Sequence, residues 1–293
     1  MKKYIGFIEI GPRDGFQNIK DFIPTELKLE IIDKIVSAGV KKIQATSFVS
    51  PKAIPQMSDS IKVMEACQNR YKDVCFSALT PNYRGVEIAA GMGVKEVNFV
   101  ISVSELHNKA NVNRSIEESF NQLKKAVEDF PDVSIVLDAA TVFGCPFNSE
   151  ITYAMVEDFV GRAVNMGIQK ICLCDTNGIA IPNQVRAYVM DLKKSFPHAE
   201  FIIHIHDTRN MGVVNTLAAI ESGIDAFQST LGGLGGCPFA PGATGNTSSE
   251  DLIYMLDKMG YDTGVDPSEM IAAAKYLNKN VKGNYSGHQI HIK

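Results

Sequence analysis

The sequence predicts an α/β protein built as one closed, parallel (β/α)8 barrel with a short C-terminal helical extension. Three observations carry that expectation. Strand-like and helix-like runs alternate eight times along the chain. Several predicted helices end at glycines that lead within a few residues into the next strand, and short αβ turns of this kind imply parallel strands. No G-x-G-x-x-G follows the first strand, where an open dinucleotide-binding sheet carries it.

Apolar, β-branched or aromatic runs mark strands at 4–10, 41–46, 74–79, 96–101, 134–139, 170–174, 201–206 and 226–230. Several are continuous rather than alternating, as strands covered on both faces should be. The clearest helix begins at Ser115-Ile116-Glu117-Glu118, a capping box, and carries Ile116, Phe120, Leu123, Val127 and Phe130 on one stripe before Pro131 closes it. Thr247 and Glu250 repeat the capping spacing before Leu252, Leu256 and Met259. Further helices are expected near 26–38, 59–69, 83–92, 151–166, 184–196 and 211–222. The turns Ala38-Gly39, Met92-Gly93, Met166-Gly167 and Ser222-Gly223 supply left-handed stops. Residues 1–264 form the expected barrel, and 265–293 add one helix and a glycine-containing tail to the same domain.

The chain has 293 residues, 45% of them apolar, and a formal charge of −4. That is enough apolar material for one large core, and barrels of this type occupy about 250 residues. The mildly acidic balance and the lack of a long basic run argue against nucleic acid or an anionic membrane as partner. Glu9 interrupts the N-terminal apolar stretch too early for a secretion signal, and no run nears the roughly 18 apolar residues of a membrane span. The cytoplasm is the expected location. Six cysteines in so long a chain do not make a disulfide scaffold. Cys75, Cys172 and Cys174 read as buried thiols in strands, the last two facing one side.

In such a barrel the chemistry gathers at the C-terminal ends of strands and the loops after them. Three motifs stand there. His204-Ile205-His206-Asp207 ends the seventh strand, and residues two apart share a face with Cα atoms roughly 6.6 Å apart. Two such imidazoles either chelate an ion or face the core; the strand end favours the ion. Gly11-Pro12-Arg13-Asp14-Gly15 follows the first strand, where Arg13 and Asp14 make either a surface ion pair or, with only the eighth strand between them and the histidines, a charged group and a hard oxygen ligand. Mixed imidazole and carboxylate ligands suit Mg2+ or Mn2+ better than a closed zinc site. The third motif, Leu231-Gly232-Gly233-Leu234-Gly235-Gly236-Cys237-Pro238, runs on to Gly245-Asn246. A loop this long is a candidate lid, and its cysteine is better placed for proton transfer than for packing. Asn246 has two candidate roles, N-cap or metal ligand.

With these motifs the chain resembles the 3-hydroxy-3-methylglutaryl-CoA lyases, within the wider group of metal-dependent barrels that make or break Claisen-type bonds. The resemblance runs through Gly11–Asn18, Thr46–Lys52, Ser115–Phe120, Gly144-Cys145-Pro146, His204–Thr208 and Gly233–Asn246. It implies that Asp14, His204, His206 and Asn246 hold one divalent cation and that Arg13 steadies the thioester oxygen as an enolate forms. It also implies that Cys237 transfers a proton, with Asp175 assisting. Gln17, Gln44, Ser47 and Asp138 are further candidates for contact with an acyl-CoA substrate. The implied reaction is retro-Claisen cleavage of a tertiary alcohol to acetyl-CoA and acetoacetate, and the group implies a homodimer.

The chain departs from the family pattern at three places. Gln44 stands where the lyases carry glutamate. Val136 and Asp138 stand where an arginine and an aromatic are expected, and Arg209 where an aromatic precedes glycine. One acid is lost and another gained at the mouth, so a related substrate such as a citramalyl-CoA is the nearest alternative. A Claisen-type synthase is the rival in the reverse direction, although those proteins carry extra C-terminal domains. A pyruvate-type aldolase fits the Gly-Gly-Cys-Pro loop poorly. The non-enzymatic rival, a silent metal- or CoA-binding homologue, draws support only from Gln44 and Asp138.

Overall fold

The computed structural model describes residues 2–147, 149–236 and 245–292. The first strand signal divides in two: β1 (Lys3–Tyr4), then β2 (Gly6–Glu9). Gly6 lets β2 enter the sheet closely, since a Cβ there would lie 2.8 Å from that of Ala226. The next strands are β3 (Lys42–Ser47), β4 (Cys75–Thr80), β5 (Glu96–Ser102), β6 (Ser134–Ala140), β7 (Lys170–Asp175), β8 (Glu200–Ile205) and β9 (Ala226–Ser229). β2 to β9 close in chain order, every pair parallel, and β9 returns to β2. This is a TIM barrel. Outside it, β1 pairs with β10 (Tyr261–Asp262) in a two-stranded parallel sheet that the sequence pattern does not reveal.

Helices α1 (Thr25–Ser37), α2 (Ser60–Arg70) and α3 (Tyr83–Gly91) follow the first three barrel strands. Two helices follow β5: α4 (Glu105–Val112) and α5 (Ile116–Asp129). α4 has no apolar stripe to announce it. It is set by Ser104, whose hydroxyl accepts from His107 N–H, and stopped by Asn113 in the left-handed region at φ 54°. α5 carries the expected reciprocal cap between Ser115 and Glu118, and buries Phe120, Leu123 and Ala126. Then come α6 (Tyr153–Asn165), α7 (Pro182–Ser195), α8 (Gly212–Glu221) and α9 (Ser249–Lys258).

The cap of α9 corrects the sequence-based expectation by one residue. Ser248 is the N-cap, accepting from Asp251 N–H at 3.3 Å, while Thr247 donates its hydroxyl to Ile205 O at 2.9 Å. Glu250 turns inward instead and accepts from Gly232 N–H at 2.9 Å. Repeated hydroxyl and acid residues (Thr-Ser-Ser-Glu-Asp) allow two registers of the same cap, and burial of Glu250 selects the later one. Last, α10 (Pro267–Asn280) packs on α1 and α9, and the tail beyond it returns over the glycine loop, where Gly287 N–H donates to Gly232 O at 3.2 Å.

The strands present different residues to their two sides, as a period of two requires. Ile43, Phe99, Leu137, Leu173, Ile203 and Phe227 belong to the large outer core with the helices. Ile8, Ile10, Val136, Cys172, Cys174, Ile202 and Ala226 form a separate inner cluster. Cys172 and Cys174 share the inner side, with sulfurs 3.8 Å apart, both free thiols. Cys75 is only half-buried, a correction to the expected core thiol: its strand begins there, before the helices cover it. Continuing the inner columns toward the C-terminal mouth brings Val136 to Asp138 and Ile202 to His204 and His206. Below the polar mouth lies this apolar layer, and beneath it at the strand starts Glu96 is ion-paired to Lys42 and Lys170 at 2.8 and 2.7 Å.

Candidate metal centre and active site

Arg13 and Asp14 are set by a single π-helical turn, Gly11–Gly15, that leaves β2 directly. Both of their N–H groups reach Ile10 O, at 3.0 and 2.7 Å. Such one-turn distortions recur at functional sites because they re-aim side chains. The turn is anchored by the buried Glu9. Gly11 N–H donates to Glu9 Oε1 at 2.7 Å, Leu231 N–H to the same oxygen at 2.9 Å, and the Ser249 hydroxyl to Oε2 at 2.6 Å. One carboxyl group thus joins the Arg13 turn, the glycine loop and α9.

His204 and His206 stack with ring centroids 5.1 Å apart. Their Nε2 atoms lie 3.8 and 4.0 Å from Asp14 Oδ2. Gln228, the register partner of His204 on β9, places its Oε1 3.0 Å from His204 Nδ1. An amide oxygen can only accept, so Nδ1 carries the proton and Nε2 keeps its lone pair toward Asp14. Asn246 arrives by backbone pairing: it bridges His206, and Asp207 N–H donates to Gly245 O at 2.9 Å. Its Nδ2 donates to Asp14 Oδ2 at 2.6 Å and to Leu234 O at 3.1 Å. With Ser248 capping α9, the N-cap role is already filled and Asn246 is free for the site. Gly235, at φ 138°, is required by this approach, because a Cβ there would stand 2.3 Å from Asn246 Nδ2.

These residues fit a cation. Ligand atoms of Asp14, His204 and His206 all lie within 4.8 Å of one another, and all three side chains are buried. Asn246 Oδ1 is buried with no hydrogen-bond partner, an expensive condition unless something positive or donating completes it. The electrostatics agree. Burial pushes both imidazoles below their ordinary range, His206 to about 4, so each is neutral at pH 7 and able to ligate. Burial works against ionisation of Asp14 too. Burial is the largest single influence, but the Arg13 guanidinium, donating to Asp14 Oδ1 at 2.5 Å, together with the two imidazoles and the Asn246 hydrogen bond outweighs it and holds the carboxyl below its usual range.

The other candidates distribute around this centre. Arg13 Nε donates to Gln44 Oε1, which fixes the Gln44 amide and leaves its Nε2 buried without a partner. Gln17 donates to Asp14 Oδ1 at 2.7 Å. Asp138 accepts from Asn98 Nδ2 at 2.7 Å, and burial pushes its carboxyl up to about 6. Arg13, Asp14, Gln17, Asp138, His204 and His206 line one cleft of about 510 Å3, which Lys20 and Gly236 also border. Gln44 and Ser47 lie beneath it, fully buried, and the Ser47 hydroxyl has no partner. Asp175 ends β7 beside the cleft but turns its carboxylate into its own loop, accepting from Ile179 and Ala180 N–H at 3.0 Å each. Burial pushes it up to about 6. Arg209 closes the same loop through Asn177 O and Gly178 O. Cys237 lies outside the described residues. Glu9, Asn98 and Gln228 are polar contributors that sequence motifs do not single out, and Glu250 is one that the capping motif assigns to another role. The available signal is a polar residue on the inner side of an otherwise apolar strand, which Asn98 and Gln228 both show.

A closed parallel barrel whose C-terminal mouth gathers two neutral imidazoles, a carboxylate and a guanidinium defines the class of metal-dependent barrel enzymes. The family model described as HMGL-like matches residues 4–277, and the chain belongs to that family. The mitochondrial hydroxymethylglutaryl-CoA lyase of Macaca fascicularis is 38% identical over 280 residues, covering 94% of this chain and 86% of that protein. The hydroxymethylglutaryl-CoA lyase of Bacillus subtilis is 38% identical over 281 residues, covering 95% and 94%. Among solved structures, a B. subtilis HMG-CoA lyase superimposes with a TM-score of 0.94 at 36% identity, over 99% of this chain and 97% of that one. An Acinetobacter baumannii HMG-CoA lyase, solved with coenzyme A and 3-methylmalate, gives 0.92 at 36% identity over 97% and 93%.

Proposed function

We propose that the protein is a divalent-metal-dependent carbon–carbon lyase that cleaves a 3-hydroxy-3-methylglutaryl-CoA-like thioester by retro-Claisen chemistry. The products are acetyl-CoA and a keto acid, acetoacetate for the parent ester. The observation that carries the proposal is the convergence of Asp14, His204 and His206 within 4.8 Å beside Arg13. Asp14, His204, His206 and Asn246 would hold the ion, and the mixed oxygen and nitrogen donors favour Mg2+ or Mn2+. When bound, the cation supplies Lewis acidity toward the substrate hydroxyl.

The chain's own groups supply the rest. Arg13 commits two of its five N–H donors to Asp14 and Gln44, which orients the guanidinium, and keeps the others for the thioester oxygen. Negative charge grows on that oxygen as the bond breaks, so the contact strengthens toward the transition state. Gln44 is neutral, so Asp14 alone balances the guanidinium charge. Asp175 assists by holding the loop Thr176–Ala180 at the cleft edge. Cys237, on the glycine loop, is the proposed proton donor to the enolate carbon, a role for which a thiol's ordinary pKa near 8.5 suits it. Gln17, Gln44, Ser47 and Asp138 shape the acyl end, the last of them within the cleft.

The solved relative with coenzyme A supports an acyl-CoA substrate. By analogy with barrels of this group we assign a homodimer. We place the protein in the cytoplasm, as the name of a mouse relative 36% identical places that protein; among the described residues no helix is long and apolar enough to cross a membrane. Single-turnover product analysis with 3-hydroxy-3-methylglutaryl-CoA and citramalyl-CoA, each with Mg2+ or Mn2+, tests the activity. Metal-dependent release of acetyl-CoA from the parent ester is expected. No thioester cleavage with either ion would overturn the lyase assignment.

A further inference from the structure

Two charged groups that border the cleft, the exposed Lys20 and the buried Asp138, have no use in the bond-breaking steps, and Asp138 is the one set inside the barrel. Asp138 stands on the inner side of β6, two residues above Val136 of the inner apolar cluster, and lines the cleft with Arg13, Asp14, His204 and His206. Asn98, on the neighbouring strand β5, donates to Asp138 Oδ1 at 2.7 Å, and among the described residues no donor reaches Oδ2. The nearby cation does not neutralise it either. Arg13 turns its Nε to Gln44 and its Nη1 to Asp14, and forms an ion pair with Asp14 alone.

Asp138 is 4% exposed, and its Oδ2 is not sealed from the cleft, where water hydrates it until a bound acyl group displaces that water. Burial pushes the group up to about 6, which still leaves it mainly ionised at pH 7 and able only to accept hydrogen bonds. A second acceptor brought against it, such as a carboxylate or carbonyl, meets like charge or lone pairs. An alkyl group leaves Oδ2 unsatisfied. A hydroxyl or an ammonium satisfies it and removes the cost. Sites built to receive a hydrogen-bond donor discriminate strongly against analogues lacking one, because the buried partner is then orphaned.

We infer that Asp138, held by Asn98, makes this lyase selective for an acyl group carrying a hydrogen-bond donor, hydroxyl or ammonium, on the carbon skeleton of the keto-acid product. The inference rests on the lyase assignment and names the substrate class for it. Asp138 is the specificity-determining contact and Asn98 positions it. Cleavage itself follows the same balance of bonds: the bond between C2 and C3 breaks, C3 becomes the ketone and C2 is protonated to give acetyl-CoA. The donor group is carried unchanged into the ketone.

The test compares kcat/KM, with Mg2+, for three thioesters: 3-hydroxy-3-methylglutaryl-CoA and its 3-hydroxymethyl and 3-aminomethyl counterparts. Wild type is expected to favour at least one donor-bearing ester by about tenfold or more over the methyl ester. Asp138→Leu should invert that ratio. Asp138→Asn separates the two donors, since a neutral amide still accepts from a hydroxyl but loses its preference for an ammonium; it also stands in where the leucine variant does not fold. A wild-type preference for the methyl ester, with the ratio unmoved in Asp138→Asn, overturns the inference and leaves the lyase assignment intact. Absence of acetyl-CoA from all three esters overturns both.

Discussion

Individual side chains at the mouth have their direction set by a few named neighbours. Arg13, first among several groups, keeps Asp14 ionised against burial, and Gln228 keeps the proton of the neutral His204 on Nδ1 so that Nε2 faces the carboxylate. Removing such an outer partner costs metal affinity about 10- to 100-fold in comparable sites. Gln228→Leu, close in size but unable to accept, is therefore expected to weaken Mn2+ binding by about that factor while leaving the fold unchanged by circular dichroism. Unchanged affinity would show that the imidazole is oriented by other means. Asp14, His204 and His206 are legible in the sequence because polar residues at strand ends stand out in short motifs. Gln228 is not, because a lone glutamine in a four-residue strand acquires meaning only through its register against His204.

Between elements, two buried acids do the joining. Glu9 binds the Arg13 turn to the glycine loop and α9, and Glu250 on α9 binds the same loop through Gly232. Burial pushes Glu9 up to about 7 and Glu250 up to about 8. Unfolded glutamates ionise near 4.3, so in the interval above that the folded chain holds protons the unfolded chain has released. Stability contributed by these groups is therefore complete at low pH and is lost as pH rises through their folded values. Above pH ~6.5 unfolded histidines are less than half protonated and oppose the trend progressively less. The Tm of metal-free protein is expected to fall between that pH and about 8, and Glu250→Gln, neutral throughout, should flatten the fall. A wild-type Tm that rises over this interval would contradict the assignment of these acids as buried and protonated.

Elements with a strong apolar period are the ones the sequence announces. All eight barrel strands follow from apolar, β-branched or aromatic runs, several of them continuous as burial on both faces imposes, and α5 follows from its helical spacing. α4 escapes that logic because Ser104 and Asn113 define it by its ends. The two-residue strands β1 and β10 escape it because they are too short to have a period. The α9 cap shifts by one residue because local sequence offers two equivalent hydroxyls and only the tertiary pull on Glu250 chooses between them.

At the scale of the molecule, barrel closure is what makes the chemistry possible. Residues 14, 204, 206 and 246 are remote in sequence, yet β2 and β8 flank β9, and the segment after the glycine loop pairs back onto His206. The polar mouth above an apolar middle layer then gathers the metal-ligand candidates where the cleft opens. The fold and the candidate trio Asp14, His204 and His206 are readable from motif order along the chain. Asp138 and Gln44 stand out there too, but their pairing with Asn98 and Arg13 does not, because it depends on which inner positions of neighbouring strands meet. The most direct test of the whole account is a Mn2+ titration of the purified chain followed by electron paramagnetic resonance. One bound ion per chain is predicted, lost in Asp14→Ala and in His206→Ala; equal binding by both variants and the wild type would contradict a shared cation at the barrel mouth.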